Sequence, residues 1–418
     1  MTDLHAPGFP RQQVAERARH GTAMAFPDAD GYGTTMFGQQ PTEQDAPLDA
    51  IDRTRLVPPV FVPRRLERLI DLGREPVVGD AELATTIGGF SSPLPVYVSA
   101  FGSTRVASGD LGQAVARQAG RLGIPMVIGE NIVPVAGYGR MAQTAPSSLL
   151  QRITEYAAAV PEGQGGVVVQ QSTEDADAEV WNLVYSDPAV QPLLESGRLA
   201  FELKVGQGAK PGLGGMTLVP REKATALSAQ YDLMDVFGAD SDAVLRCSSP
   251  GTFTDEILRH QIRLMRNNYP RARVWVKLPP ARDVGEAAAV AWAAGADAVG
   301  VDGAEGGTGW APRAFLGHVG LPLAECLDRV DPQDHCLLVT GRIWEGARAT
   351  KCLALGARAV GLGRAALAAV DEDPHSGLVN LVECLALEMR MLLSSLGKYE
   401  ISELSREDLW SEERHKLR

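Results

Sequence analysis

The chain has 418 residues, and 40 Lys and Arg against 52 Asp and Glu give it a formal net charge of −12. With 45% hydrophobic and 22% charged residues, the composition excludes a largely disordered chain, and the acidic balance argues against nucleic-acid binding. There is no run of 18 uncharged apolar residues, and the first residues lack the apolar core of a signal peptide, so no membrane association is expected. Five widely spaced cysteines predict reduced thiols and a cytoplasmic protein.

The first part of the chain, residues 1–90, is rich in Pro, Gly and acidic residues and has no sustained hydrophobic period. It is too apolar to be a free tail throughout. We therefore expect an N-terminal extension with one or two short helices that packs on the main domain. The main domain is predicted over residues 91–400, followed by a C-terminal tail at 401–418.

From residue 95 onward, short apolar runs alternate with longer runs of helical period. The short runs are apolar on both sides of the alternation, which is typical of buried parallel strands. The eight predicted strands span residues 95–100, 125–130, 166–171, 199–205, 274–279, 298–303, 336–341 and 359–363. Helical patterns lie between them, and a long one at 377–397 follows the eighth strand.

Eight strands alternating with eight helices form the pattern of an α/β protein with a (β/α)8 TIM barrel. An open doubly wound sheet would normally carry GxGxxG after its first strand, where this chain has FGSTRVASGD (101–110). Two insertions interrupt the alternation, at 131–147 after the second strand and at 206–253 after the fourth. Both follow the carboxyl ends of strands, where a barrel places its active site.

Glycine-rich turns are predicted after the sixth and eighth strands, at DGAEGGTGWAP (302–312) and GLGRAAL (361–367), and TGRIWEGARA (340–349) is predicted to open the helix after the seventh. Glycines let the backbone approach an anion, and helix N-termini present free N–H groups. Barrels often bind a phosphate at the loops after strands seven and eight. Each segment alone is also compatible with an ordinary turn. Together, on successive strands, they predict a phosphate site.

Several segments resemble the flavin-binding synthase domain of the glutamate synthases. They are KVGQGAKPGLGG (204–215), VKL (276–278), DGAEGGTGWAP, and the pair formed by TGR and GLG after strands seven and eight. Residues 99–130 are similar to the family's first strand, helix and Gly-Glu strand end, and 381–397 to its last helix. The resemblance covers roughly residues 90–400 and implies an FMN cofactor inside the barrel.

Lys277 interrupts an otherwise apolar strand, where a buried lysine needs an anionic partner. The resemblance implies that its ammonium lies beside the flavin N1–C2=O edge; the alternative is a lysine that reaches the barrel rim. Gln207 is assigned to a flavin or substrate edge, or else it braces its loop. The other predicted FMN contacts are Ser99, Ala100 and Gly102 beside the ring, Gly306, Gly307, Thr308 and Gly309 along the ribityl chain or phosphate, and Gly341, Arg342, Gly363 and Arg364 at the phosphate. For both arginines a position on the rim is the alternative.

Two further charged residues join Lys277 as candidates for the chemistry. Lys210 is expected to hold a substrate carboxylate, or to be an exposed, solvated lysine. Glu130 ends the second predicted strand. It is expected to act as an acid or base, or to pair with an arginine of the rim.

The chain departs from the family in ways that limit its reaction. Full-length glutamate synthases begin with an amidotransferase domain and a catalytic cysteine, whereas residue 2 here is Thr, so glutamine hydrolysis is expected to lie elsewhere. The family's [3Fe–4S] cluster needs three close cysteines after strand eight, and residues 365–384 contain only Cys384, so no Fe–S cluster is expected. Leu213 replaces a family acid, and CSSPGTFTDE (247–256) replaces a stretch with paired histidines. The flavin pocket is therefore better supported than a 2-oxoglutarate pocket.

The sequence thus predicts an FMN-dependent oxidoreductase acting on a C–N bond of an amino acid, imine or amine, by reductive amination or its reverse. Two alternatives stay open. One is a non-catalytic or partner-dependent flavin subunit, and the other is an FMN-dependent isomerase without net redox change. The expected partners are a small amino acid, amine or oxoacid, a second copy of the chain, or a separate amidotransferase or reductase subunit.

Overall fold

The computed structural model describes residues 5–36, 38, 49–101, 110–129, 145–172, 178–206, 208, 217–229, 231–247, 253–308 and 311–411. Eight parallel strands close into a barrel, which confirms the predicted (β/α)8 fold. In chain order, β1 to β8 span Val96–Val98, Met126–Ile128, Val167–Ser172, Leu199–Lys204, Arg273–Leu278, Ala298–Asp302, Leu337–Thr340 and Ala359–Leu362. The barrel closes because β8 pairs with β1 as well as with β7.

A helix follows every barrel strand. In chain order, α1 to α8 span Asp110–Leu122, Ala145–Ala159, Ala178–Ser186, Asp255–Asn268, Val284–Ala293, Leu323–Arg329, Gly346–Ala354 and Arg364–Glu372. Short helices at Gln191–Glu195 and Arg313–Leu316 precede β4 and α6, and a long helix, Gly377–Ser395, follows α8. Among the described helices, none is both long enough and apolar enough to cross a membrane.

The helix α8 corrects the sequence prediction, which assigned residues 361–367 to a turn and made the long C-terminal helix the eighth of the barrel. Only Gly363 lies outside regular structure there, because β8 ends at Leu362 and α8 begins at Arg364. Four of the six residues at 365–370 are alanine, the residue with the highest helix propensity, so a helix forms directly after the glycine.

The amino-terminal end of the barrel is closed by a β-hairpin made of Thr85–Ile87 and Phe90–Ser92. Ile87 and Phe90 pack inside the barrel against Trp275 of β5, with the Phe90 and Trp275 ring centroids 5.5 Å apart. The Trp275 indole N–H donates to the Gly88 carbonyl at 3.1 Å. The hairpin and the inward residues around Trp275 form an apolar floor, above which the rest of the barrel interior lies.

The N-terminal extension is more regular than predicted, since its described part contains three α-helices at Arg11–His20, Ala50–Arg53 and Pro63–Leu72. Proline is favourable in a first helical turn, which accounts for the start of the third. The first packs on α8 and on the long C-terminal helix, and the second on α6 and α7. Residues Arg55–Leu56 pair with Leu409–Trp410, so the extension and the tail form a two-stranded sheet.

The insertion after β4 contains a small three-stranded antiparallel sheet in which Ala243–Cys247 lies between Thr217–Pro220 and Asp232–Met234. A bidentate ion pair between Arg221 and Asp235, at 3.0 Å, joins the carboxyl ends of the two edge strands. The predicted insertion after β2 falls mostly outside the described residues.

We predict that Gly88→Ala destabilises the fold more than Gly73→Ala does. Both glycines have a positive φ, 53° and 65°, so each alanine incurs a similar backbone strain of about 1–2 kcal/mol. A Cβ on Gly88 would also lie 2.3 Å from the Trp275 indole nitrogen, whereas one on Gly73 would meet nothing within 4 Å. Overpacking should add roughly 1–3 kcal/mol.

The free energies of unfolding of the two variants, measured by urea denaturation, test this expectation. Gly73→Ala is the matched control for the backbone strain alone. Equal losses in the two variants would mean that the hairpin is not packed against Trp275.

Candidate functional site

A layer of polar side chains lies inside the barrel above the apolar floor, toward the carboxyl ends of the strands. Successive inward residues of a strand are two positions apart, so on β5 the layer residue Lys277 follows the floor residue Trp275. The buried members are Ser99, Gln170, Glu202, Lys277, Asp302 and Thr340. The interior of the barrel is therefore apolar at the floor and polar at the carboxyl ends of the strands, which we call the mouth.

Lys277 has the anionic partner that its burial requires. Its Nζ lies 3.2 Å from Oδ1 of Asp302 on β6, and the two side chains are 10% and 4% exposed. The other carboxylate oxygen of Asp302 accepts the backbone N–H of Gly208 at 3.2 Å. Asp302 thereby connects the lysine with the beginning of the insertion after β4.

Glu202 on β4 and Gln170 on β3 extend the polar layer on the side of β5 away from Asp302. Glu202 accepts a hydrogen bond from the Gln170 amide. Burial raises the pKa of Glu202, while the charge of Lys277 and the Gln170 hydrogen bond act against that rise. The net effect is that Glu202 keeps a proton more readily than an exposed glutamate does.

Arg342 is the second residue after the end of β7, from which Gly341 separates it. The backbone turns sharply here, with φ of 151° at Gly341 and 57° at Arg342. The Arg342 guanidinium lies 3.0 Å from the carboxylate of Asp52, and both side chains are almost fully buried. The side chain thus binds the N-terminal extension.

Arg364, the first residue of α8, lies beside Arg342. It donates to the backbone carbonyl of Glu305 and stacks over the ring of Phe9, with its Cζ 4.7 Å from the ring centroid. Burial lowers the pKa of Arg364 to about 10, and the positive charge of Arg342 adds to that effect. A buried guanidinium, that of Arg342, and a half-buried one, that of Arg364, therefore lie at the ends of β7 and β8.

The residues around these arginines provide a place for an anion. Gly363 precedes α8, none of the described side chains caps this helix end, and the first turn has no acidic residue. A Cβ on Gly363 would meet nothing within 4 Å, whereas one on Gly307 would lie 3.1 Å from Arg364. We call Gly307, Arg342, Gly363 and Arg364 the anion corner. Helix N–H groups and guanidiniums are donors that bind a phosphate monoester, and the open space beside Gly363 lets such a group approach the backbone. The corner therefore fits the phosphate of FMN.

The structure brings together most of the residues selected from the sequence. Those at the carboxyl ends of the strands are Ser99, Ala100, Lys277, Gly306, Gly307, Thr308, Gly341, Arg342, Gly363 and Arg364. Gly102, Glu130, Gln207, Lys210 and Gly309 lie outside the described residues. In the part of the chain that is described, no group of three or more His, Cys, Asp or Glu side chains is arranged to hold a metal ion.

Sequence reasoning missed five residues of the site. Gln170, Glu202 and Asp302 carried a usable signal, because each is a polar residue inside a strand that otherwise reads as apolar. Phe9 and Asp52 had no such signal, since they come from the N-terminal extension and reach the anion corner only in the folded chain.

The fold and the site define a (β/α)8 barrel with a polar mouth and an anion corner at the ends of β7 and β8. Residues 126–376, more than half of the chain, match the model of the conserved region in glutamate synthase. The chain therefore belongs to the glutamate synthase family, as the sequence resemblance predicted.

The archaeal-type glutamate synthase [NADPH] of Dehalococcoides mccartyi is 28% identical in an alignment 325 residues long that covers 66% of this chain and 64% of that protein. The archaeal glutamate synthase [NADPH] of Archaeoglobus fulgidus is 30% identical over 59% of this chain and 50% of its own length. A glutamate synthase large subunit-like protein of Rhizobium meliloti is 31% identical over 58% and 56%. The chain thus spans about half to two thirds of the length of these relatives.

Solved structures with the same fold include (S)-mandelate dehydrogenase from Pseudomonas putida, with a TM-score of 0.53 and 20% identity over 87% of this chain and 88% of that one. A flavocytochrome b2 with sulfite bound has a TM-score of 0.53 and 20% identity over 86% and 76%. A mandelate oxidase mutant with the monooxide FMN adduct has a TM-score of 0.51 and 20% identity over 86% and 88%. At these identities the likeness concerns the fold alone.

We predict that the free energy of unfolding of the wild type falls relative to that of Glu202→Gln as the pH rises. Burial raises the pKa of Glu202 in the folded protein above its value of about 4.3 in the unfolded chain. The stabilising contribution of the protonated carboxyl is therefore complete at a pH below about 4.3 and is lost as the pH rises through the pKa of the folded protein. Each unit of upward shift corresponds to about 1.4 kcal/mol. Glutamine keeps the shape and cannot ionise.

Urea titrations of both proteins at a series of pH values between about 4 and 8 measure this difference. The exposed substitution Glu195→Gln is the control, and its difference from the wild type should not follow the same trend. A difference for Glu202→Gln that does not depend on pH would show that the carboxyl is not desolvated.

Proposed function

We propose that the chain is an FMN-dependent oxidoreductase that acts on the C–N bond of an amino acid, imine or amine, by reductive amination or its reverse. The observation that carries this proposal is a buried lysine in the same barrel mouth as the anion corner. Membership of the glutamate synthase family supports the reaction class. The adopted fold is also that of a protein whose structure contains an FMN adduct, which supports the cofactor.

The residues of the mouth divide into those for the phosphate and those for the ring. The phosphate would be bound by Arg364, the first N–H groups of α8 and the backbone of Gly307. Gly341 and Arg342 would lie beside it. Gly306 and Thr308 would follow the ribityl chain. The flavin ring would lie against the small residues Ser99 and Ala100 at the end of β1. Gly102 is proposed to lie beside the ring, Gln207 at an edge of the flavin or substrate, and Gly309 along the ribityl chain or phosphate.

FMN supplies the site that accepts or donates a hydride. Lys277 provides a positive charge in a region of low dielectric, where it would stabilise negative charge at the flavin N1–C2=O edge. Asp302 fixes the position of that ammonium and, through the Gly208 N–H, the start of the adjacent loop. Burial raises the pKa of Glu202, which favours its protonated form, and a proton there would limit the net negative charge around the pair.

A carboxylate-bearing substrate suits the cations of the mouth. Lys204 on β4 is half-buried and lies opposite Lys277 in the parallel register, so a second ammonium borders the opening. Lys210 in the following loop is proposed to bind the substrate carboxylate. Glu130, after β2, is proposed as the acid or base that exchanges a proton with the substrate nitrogen.

A partner-dependent flavin subunit is the second candidate function. The curated relatives are longer, and this chain spans 64%, 50% and 56% of three of them. Ammonia or electrons would then be supplied by further protein, such as an amidotransferase or a reductase.

An anaerobic screen of the flavin-loaded protein with amines, amino acids and oxoacid–amine mixtures tests the proposal. Bleaching of the flavin absorbance by an amine or amino acid, or reoxidation of reduced flavin by an imine, supports the oxidoreductase. Inertness that is relieved by added ammonia-producing or reductase protein supports the subunit. Isomerisation of a substrate without bleaching would contradict both.

We predict that the purified protein releases FMN and not FAD when it is denatured. The anion corner suits one terminal phosphate, and the glycine segments carry no resemblance to a site for the adenine half of FAD. Chromatography of the supernatant identifies the flavin, and FAD or the absence of any flavin would refute the assignment. Iron and acid-labile sulfide, assayed on the same sample, should be absent.

We predict that Lys277→Met lowers the reduction potential of the bound flavin. Removal of a cation about 4 Å from the reduced ring would cost roughly 4 kcal/mol at an effective dielectric near 20. Even about 1.4 kcal/mol lowers a two-electron potential by about 30 mV. A dye-coupled redox titration of the FMN-loaded proteins measures the change.

The double variant Lys277→Met/Asp302→Asn is the matched control, because the single change leaves a buried carboxylate without its ammonium. Its potential should lie between those of the wild type and the single variant. An unchanged potential in Lys277→Met would mean that the lysine points away from the ring.

A further inference from the structure

We propose that Asp52 of the N-terminal extension is a positioning residue for the cofactor phosphate. It acts by holding the guanidinium of Arg342 in the anion corner. This inference rests on the proposed FMN function. It adds that the extension, which no part of the resemblance covers, is a structural component of the cofactor site.

The carboxylate of Asp52 divides its two oxygens between two arginines. Oδ2 lies 3.0 Å from Nη2 of Arg342, and Oδ1 lies 2.7 Å from Nη1 of Arg348. Arg348 is fully buried and donates from Nε to the carbonyl of Gly341 at 3.0 Å. Asp52 therefore holds the Arg342 side chain directly and the preceding peptide through Arg348.

The backbone at this point needs such support. Arg342 adopts a φ of 57°, a left-handed conformation that is unfavourable for a residue with a side chain. Conformations of this kind persist where the surrounding structure holds them in place. The contacts of Asp52 and Arg348 on either side of the Gly341–Arg342 peptide provide that restraint.

The second arginine of the anion corner also rests on the extension. Phe9 is buried, and its ring lies beneath the Arg364 guanidinium at 4.7 Å. The helix Arg11–His20 continues from there along α8, where Arg11 pairs with Asp371 at 2.9 Å. Two separate points of the extension therefore contact the two arginines, so phosphate binding and docking of the extension should stabilise each other.

The experiment compares the affinities of apoprotein for FMN and for riboflavin, which lacks the phosphate, by quenching of flavin fluorescence. We expect Asp52→Asn to weaken FMN binding about tenfold, because the carboxylate no longer orients Arg342, and to change riboflavin binding much less. The FMN-to-riboflavin preference of the protein should fall accordingly. A purely structural role would weaken both ligands equally.

Asp49→Asn is the matched control. Asp49 belongs to the same capping box and lies 2.8 Å from Arg348, so its loss disturbs the same buried group and leaves the Asp52–Arg342 pair in place. Its FMN-to-riboflavin preference should stay within about twofold of the wild type. A comparable fall in this control would overturn the assignment to Asp52.

A second variant keeps the proposal testable if Asp52→Asn does not fold. Phe9→Leu keeps an apolar residue under Arg364 and removes the aromatic face, so the FMN-to-riboflavin preference should fall about two- to fivefold. An unchanged preference in Asp52→Asn, or in Phe9→Leu where Asp52→Asn does not fold, would overturn the inference. Failure of the wild type to bind either flavin would instead refute the proposed function.

Discussion

Lys277 and Asp302 form an ion pair inside the barrel, on adjacent strands and almost out of contact with water. Neither charge would be stable there alone, because desolvation of a single buried ion costs several kcal/mol. The pair places a cation above the apolar floor and also ties the insertion after β4 to β6 through the Gly208 N–H. The electrostatics of the mouth and the start of its largest loop therefore depend on one interaction.

The apolar floor gives that pair its strength. The hairpin closes the amino-terminal end of the barrel and packs Phe90 against Trp275, so the polar layer rests on a water-poor core. The same burial raises the pKa of Glu202. The proposed stabilisation of charge on a reduced flavin would benefit from this arrangement, since a cation in low dielectric interacts more strongly than one in water.

The anion corner depends on contacts from outside the barrel. The family match begins at residue 126, whereas Phe9 and Asp52 belong to the extension. In this protein the extension supplies buried partners for both arginines of the corner.

The sequence by itself determined the order of the eight strands, because buried parallel strands leave short apolar runs, and it located the glycines after β6, β7 and β8. It also required an anion beside Lys277. It did not predict α8 after Gly363, because the glycine was taken for part of a longer turn. Only the tertiary structure decided that the anion is Asp302, and that Arg342 binds Asp52 of the distant extension. Local sequence patterns indicate whether a position is buried. Which residue pairs with a buried charge depends instead on how segments that are distant in the sequence pack together.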